Sequence, residues 1–130
     1  MKRDSSDRYR TTELGIVKIN NNAIVTIASA AAMEVKGVCK VGRGIGKTIY
    51  EILMRRAGKN GVKIYTGENE LRLILYITVE YGVDIARVAD DVQENVKTAV
   101  ERMTGLVVST VDVIVEGVRS PHSAEKAPLR

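Results

Sequence analysis

One long alternating run near the middle of the chain restricts the fold more than any other feature. From Leu71 to Tyr81 the sequence reads LRLILYITVEY, with leucine, isoleucine or valine at every second position through Val79. Because successive side chains of a β-strand point to opposite faces, this pattern predicts a strand with one apolar face. A second β-rich run, 62–66, precedes it across the turn-forming residues 67–70, so the two runs together predict a β-hairpin.

Three stretches with apolar residues at helical spacing predict helices at about 23–37, 48–58 and 84–105. The first follows a run of three asparagines, the third follows the N-cap candidate Asp84, and each of the three ends at a glycine. The buried stripe predicted for the first helix is Ile24, Ile27, Ala28, Ala31 and Val35, and that for the third is Ile85, Val88, Val92, Val96, Ala99 and Met103.

Further strands are predicted at 14–19, 38–41 and 106–118. The resulting order is β, α, short β, α, β, β, α, β, which predicts a two-layer α+β domain with helices packed on a mainly antiparallel sheet. We expect one domain over 13–118 and disordered tails at 1–12 and 119–130, which are polar and charged. In the last strand, strict alternation would place Val107, Ser109, Val111, Val113 and Val115 on one face and Val108, Thr110, Asp112 and Ile114 on the other.

The chain has few side chains that could perform chemistry. Cys39 is the single cysteine and His122 the single histidine, so neither an intrachain disulfide nor a tetrahedral zinc site can form from them. Cys39 is expected to be either a small buried side chain or an incidental surface thiol, and His122 a solvated residue. We therefore predict no catalytic, cofactor-binding or metal-binding residues, no small-molecule substrate and no enzymatic activity.

Two glycine-containing motifs were tested as phosphate or nucleic-acid loops. GRGIGKT, from Gly42 to Thr48, follows a short strand and precedes a predicted helix, but its two outer glycines are one residue too close for a phosphate loop. The role of 42–46 stays open. GKNG, 58–61, matches the Gly-x-x-Gly loop of KH modules, although a helix stop followed by an Asn-Gly turn explains it more simply.

The charge is unevenly distributed along a chain whose formal net charge is +4. The segment 36–63 has eight basic residues against the single acid Glu51, whereas 64–103 has eight acids against four bases. We therefore predict two oppositely charged interaction regions. The basic candidates are Lys36, Lys40, Arg43, Lys47, Arg55, Arg56, Lys59 and Lys63, and the acidic candidates on the third helix are Asp90, Asp91, Glu94 and Glu101.

Three segments together resemble the bacterial alkaline shock protein family, also called envelope stress response proteins. They are 15–38, 61–65 and especially YGVDIARVADDVQENVKTAVERMTGLVVSTVDVIVEGV at 81–118. The most specific features are Tyr81-Gly82, Val92-Gln93, the junction Glu101–Leu106 and the valine-rich closing strand, in which Asp112 stands where the family commonly has Asn. The resemblance implies a non-enzymatic, cytoplasmic, self-associating protein of cell-envelope homeostasis, in part of the family tethered to the membrane by a small membrane-anchored protein.

Two functions follow as hypotheses. The first is a homo-oligomeric interaction protein in which the basic segment of one copy contacts the acidic helix of another, with a further protein partner possible at the membrane. The second is nucleic-acid binding through 36–63, which the absence of Phe and Trp disfavours because few stacking platforms remain. The polar N-terminus and the lack of an apolar run of about 18 residues predict a cytoplasmic protein.

Overall fold

A computed structural model describes residues 7–42, 61–66 and 70–121. The predicted two-layer α+β architecture is confirmed, and the predicted helix at 48–58 lies outside the described residues. The elements are β1 (Asp7–Thr12), β2 (Gly15–Asn20), α1 (Asn21–Met33), β3 (Val38–Val41), β4 (Val62–Thr66), β5 (Leu71–Glu80), α2 (Ile85–Thr104) and β6 (Val108–Arg119).

Strand β5 is the centre of the main sheet. β3 and β4 pair antiparallel with successive parts of the same edge of β5, so the predicted β4–β5 hairpin is confirmed. β6 pairs with the other edge, and this ladder is parallel. Two of the three ladders in this sheet are antiparallel, as predicted, but the sequence order did not reveal that α2 is the crossover of a β–α–β unit, the usual route to a parallel pair.

The alternation predicted for β5 is confirmed, because Leu71, Leu73, Leu75, Ile77 and Val79 are all buried. In β6 the predicted alternation is wrong at the start of the strand. Ser109 is an extra residue between the Val108 and Thr110 partners on β5, which makes a bulge. Val108 and Val111, predicted to face opposite ways, are consequently both buried.

The two helices cover one face of this sheet. Asn20 caps α1 by accepting a hydrogen bond from the Asn22 amide at 2.8 Å, and Asp84 caps α2 by accepting from the Arg87 amide at 3.2 Å. The predicted stripe of α2 is wrong at its ends, where Ile85 and Met103 are exposed. The buried residues of α2 follow a strict spacing of four: Val88, Val92, Val96, Val100 and Thr104.

The N-terminal region differs from the disordered tail predicted for 1–12. Over Asp7–Thr12 the chain forms β1, which pairs antiparallel with all six residues of β2 in a separate two-stranded sheet. β2 leads directly into α1, and its Ile19 packs against the core. Residues 1–6 and 122–130, the rest of the two predicted tails, lie outside the described part of the chain.

Candidate interaction surfaces

The acidic residues predicted as an interaction region lie on α2, and the structure separates them. Asp91 and Glu94 line an open groove of about 500 Å³ between α2 and the end of α1, together with Glu34 and Lys36. Asn95 fixes the floor of this groove, since its side-chain amide donates to the Ala31 carbonyl at 2.7 Å and to Glu34 at 3.3 Å. We call these residues the acidic groove: Glu34, Asp91, Glu94, and the single cation Lys36. Asp90 is exposed on the same helix and does not line the groove.

Glu101 has partners within the chain. Its Oε2 accepts hydrogen bonds from the Val108 amide and from Lys97 Nζ, each at 2.9 Å, and Lys97 Nζ also donates to the Val108 carbonyl at 2.6 Å. The two side chains thus bind both backbone polar groups of the first residue of β6. The Val108 N–H lowers the pKa of Glu101 below its ordinary value, and Lys97 acts in the same direction.

Replacing Glu101 with Gln should therefore make the protein less stable at neutral pH than at low pH, relative to the native chain. Because the folded-state pKa of Glu101 is lowered, its charge stabilises the fold above its ordinary pKa of about 4.3, and that contribution disappears as the pH falls through the folded-state value. Urea unfolding of both proteins between about pH 7 and 3 should show midpoints that differ most at pH 7 and converge towards pH 3.

The matched control for this experiment is Glu94→Gln, which removes the same charge from the same helix without touching Val108. Its midpoint should follow that of the native protein more closely at pH 7. A separation between native and Glu101→Gln midpoints that is the same at pH 7 and pH 3 would contradict a role for the Glu101 charge.

The basic candidates that the structure describes do not form one patch. Lys36 lies in the acidic groove. Lys40 and Lys63 are the ladder partners of Thr78 and Ile74 of β5, and they lie on the sheet face opposite the helices. The remaining five lie outside the described residues: Arg43, Lys47, Arg55, Arg56 and Lys59.

The sheet face opposite the helices combines apolar, aromatic and charged side chains. Lys63 Nζ lies 5.5 Å from the centre of the Tyr76 ring, a cation–π contact, and Arg72 bonds Asp112 of β6 at 3.2 Å. Two cations and one ring of this face are thus engaged within the chain. Nucleic-acid binding through 36–63 stays a prediction, and the cation–π contact engages one of its basic residues, Lys63.

Gly42 and Gly61 meet at one point on the edge of β5. The Gly42 amide donates to the Tyr76 carbonyl at 2.8 Å, and the Tyr76 amide donates to the Gly61 carbonyl at 2.9 Å. A Cβ on Gly61 would lie 2.2 Å from the Gly42 Cα, so the two backbones are in direct contact. The two glycines that flank 43–60, a segment with five basic residues and Glu51, therefore lie side by side at the edge of β5.

Cys39 is half-buried and is the extra residue at an irregularity of β3. Burial raises the pKa of its thiol, and the nearby Glu80 carboxylate acts in the same direction, so this thiol is a poor nucleophile at neutral pH. Within residues 7–42, 61–66 and 70–121, no group of three His, Cys, Asp or Glu side chains could hold a metal ion. No helix in the described part of the chain is long and apolar enough to cross a membrane.

These features define a two-layer α+β domain. Its polar side chains cap the helices, bind the start of β6 and give its surfaces their charge. The chain belongs to the alkaline shock protein 23 family, whose model matches residues 9–120 and whose function is described as cell envelope-related. The resemblance found in the sequence is thereby confirmed. The family description names no reaction.

Two relatives from Bacillus subtilis strain 168 cover most of the chain. The uncharacterized protein YloU is 33% identical over 110 residues, which cover 83% of this chain and 92% of YloU. The uncharacterized protein YqhY is 29% identical over 121 residues, which cover 93% of this chain and 90% of YqhY. Solved structures of MamM CTD variants align with a TM-score of 0.48 at 16% identity, over 75% of this chain and 98% of theirs.

Proposed function

We propose that the protein is a non-enzymatic component of cell-envelope homeostasis and envelope stress response that works by self-association and by contacts with other proteins. Membership in a family with a cell envelope-related function supports the setting. The main support for self-association is the acidic groove, in which three carboxylates and one lysine line an open surface. The same chain contains the segment 36–63, where basic residues outnumber acids eight to one.

Apart from Lys36, which lies in the groove itself, the basic residues of this segment have the charge that complements the groove between copies. The basic segment of one copy, placed against the acidic groove of the next, brings opposite charges together in a head-to-tail contact that can be repeated. Each exposed ion pair contributes only about 0–1 kcal/mol, so association depends on several pairs acting together and remains reversible. Such a contact also leaves other surfaces free for a membrane-anchored protein partner.

Self-association should weaken as salt is raised from about 50 to 500 mM, because screening shortens the range of charge interactions from more than 10 Å to a few ångströms. Sedimentation velocity over a concentration series measures the association constant at each salt. Glu94→Gln should lower this constant about two- to fivefold at low salt, since one exposed charge is removed from the groove.

Asp90→Asn is the matched control, because it removes one negative charge from the same helix outside the groove. Its association constant should stay close to the native value. A protein that is monomeric at every salt and concentration would overturn the proposal of self-association, and equal effects of the two substitutions would show that the groove is not the contact.

A tether to the membrane through a small membrane-anchored protein is the second part of the proposed function. The cell envelope-related description of the family supports it. Affinity capture with the native chain as bait, from membranes solubilised in mild detergent, tests it directly. Recovery of the same membrane proteins with Glu94→Gln and with the native chain would place that contact outside the acidic groove, and recovery of none above a bait-free control would contradict the tether.

A further inference from the structure

The outer edge of β6, which faces away from β5, is long and rich in valine. The strand has 12 residues, Val108–Arg119, and among the described residues it pairs only with β5. Long apolar strand edges are places where protein chains pair with one another and aggregate, because their backbone N–H and C=O groups can bond to a second strand. A protein that stays soluble with such a strand has to close this edge in some way.

The parallel ladder with β5 shows which backbone groups of β6 face outward. The Leu71 amide donates to the carbonyl of Val107, although its ladder partner is Val108. In a parallel ladder, such a residue bonds to the two neighbours of its partner, and the partner directs its own N–H and C=O to the other side. Val108 therefore faces outward. Leu73 lies two residues further along β5 and repeats this arrangement, so its partner Val111 faces outward as well.

Three side chains of α2 bind these outward groups. Glu101 Oε2 accepts from the Val108 amide at 2.9 Å, and Lys97 Nζ donates to the Val108 carbonyl at 2.6 Å. Gln93 Nε2 donates to the Val111 carbonyl at 2.9 Å. The three residues follow one another at a spacing of four, so they form one row along the helix. We call the row of Gln93, Lys97 and Glu101 the edge guard.

The part of the outer edge that the edge guard leaves uncovered is short. Alternation after Val111 places the next outward backbone groups at Val113 and Val115, and the second bulge of β6 follows directly. Two outward residues offer a second strand few hydrogen bonds. If the Val111 carbonyl were also open, the regular stretch would be Thr110–Val115, which is about the usual length of a strand.

We propose that the edge guard prevents β6 from pairing with the strands of other copies, and so keeps the protein from forming β-sheet aggregates. The acidic groove lies between α2 and the end of α1, whereas the edge guard contacts β6, so the two surfaces are distinct. The edge guard acts whether or not copies associate through the groove. Reversible charge contacts would bring the valine-rich edges of several copies close together, which makes their closure more important.

Two variants open the edge. Gln93→Ala frees the Val111 carbonyl by a change at an exposed position of α2, and the double variant with Lys97→Ala frees the Val108 carbonyl as well. Each folded variant should form aggregates that bind thioflavin T at least about tenfold faster than the native chain, because its outward carbonyls can accept from a second strand. The aggregates should show the strand spacing of about 4.7–4.8 Å in fibre diffraction.

Asn95→Ala is the matched control. It removes a side-chain amide from the same helix, and this amide also donates to a backbone carbonyl, that of Ala31 at 2.7 Å, but away from β6. Its aggregation rate should stay within about twofold of the native rate, since no strand edge is opened. Circular dichroism establishes that each variant is folded, and urea unfolding gives its stability, so that rates are compared at equal fractions of unfolded protein.

The comparison between Gln93→Ala and Asn95→Ala decides the outcome. Equal aggregation rates for these two variants at equal unfolded fraction would overturn the role of the edge guard. Faster aggregation of Gln93→Ala without the strand spacing in fibre diffraction would overturn it too, because the aggregates would then have formed in another way. A native chain that is monomeric at every salt would overturn the proposed self-association and leave the edge guard standing, since the variants alone test it.

Discussion

Replacing Gly61 with Ala should lower the free energy of unfolding by about 3 kcal/mol, which combines a strained backbone with a steric clash. Gly61 has φ of +93°, a conformation that costs an alanine about 1 kcal/mol or more. The added Cβ would lie 2.2 Å from the Cα of Gly42, so one of two backbone segments on the edge of β5 must move. We expect the hydrogen bonds of Tyr76 to both glycines to weaken together.

Gly82→Ala is the control that isolates the clash. Gly82 has nearly the same φ, +94°, and a Cβ there would meet nothing within 4 Å. Its loss of stability should therefore be about 1 kcal/mol, the cost of the backbone conformation alone. Chemical denaturation measures both variants, and equal losses at the two positions would show that Gly42 and Gly61 do not approach as closely as the structure indicates.

The close approach of Gly42 and Gly61 illustrates what the sequence could not predict. The sequence has a glycine on each side of 43–60, Gly42 and Gly61, and an Asn-Gly turn explained Gly61 adequately. β3 and β4 share one edge of β5, and two distant glycines therefore meet. This arrangement depends on strand pairing between residues far apart in sequence. Local patterns do not encode such pairings, and their register must be known before the close contact follows.

Glu101 shows the same limit at the candidate site. The sequence predicted it as an exposed acid of α2, in the same class as Glu94, because both lie on the polar side of the helix. Its hydrogen bond to the Val108 amide depends on where α2 ends and β6 begins. The spacing of four between Lys97 and Glu101 was a usable signal that these two side chains interact, although not that they bind the start of the next strand.

The N-terminal strand was missed for a compositional reason. Residues 7–12 read DRYRTT, a run too charged to predict burial, and it was therefore assigned to a tail. Backbone pairing does not need burial, however, and the exposed side chains of 11–18 leave little buried pattern to detect.

Where burial is complete, the sequence was a reliable guide. The alternation of β5 predicted its buried face residue by residue, because that strand lies under both helices between two neighbouring strands. The same reasoning failed at Val108 because one bulge reverses the phase, and at Met103 because the buried stripe of α2 follows a spacing of four to Thr104. Errors thus occurred at the ends of elements, where fewer neighbours constrain each side chain.

Leu75→Ala should lower the free energy of unfolding by about 2–5 kcal/mol, because it removes a fully buried side chain from the middle of the central strand. Its neighbours on the ladder are Val62 of β4 and Val113 of β6, so a cavity there is enclosed by both adjoining strands and cannot close without shifting them. Leu14→Ala makes the same substitution at a side chain that is 98% exposed and should change stability by less than about 0.5 kcal/mol in a dilute monomer. Urea denaturation of both variants measures the contrast, and a loss below about 1 kcal/mol for Leu75→Ala would mean that the core under α1 and α2 is loosely packed.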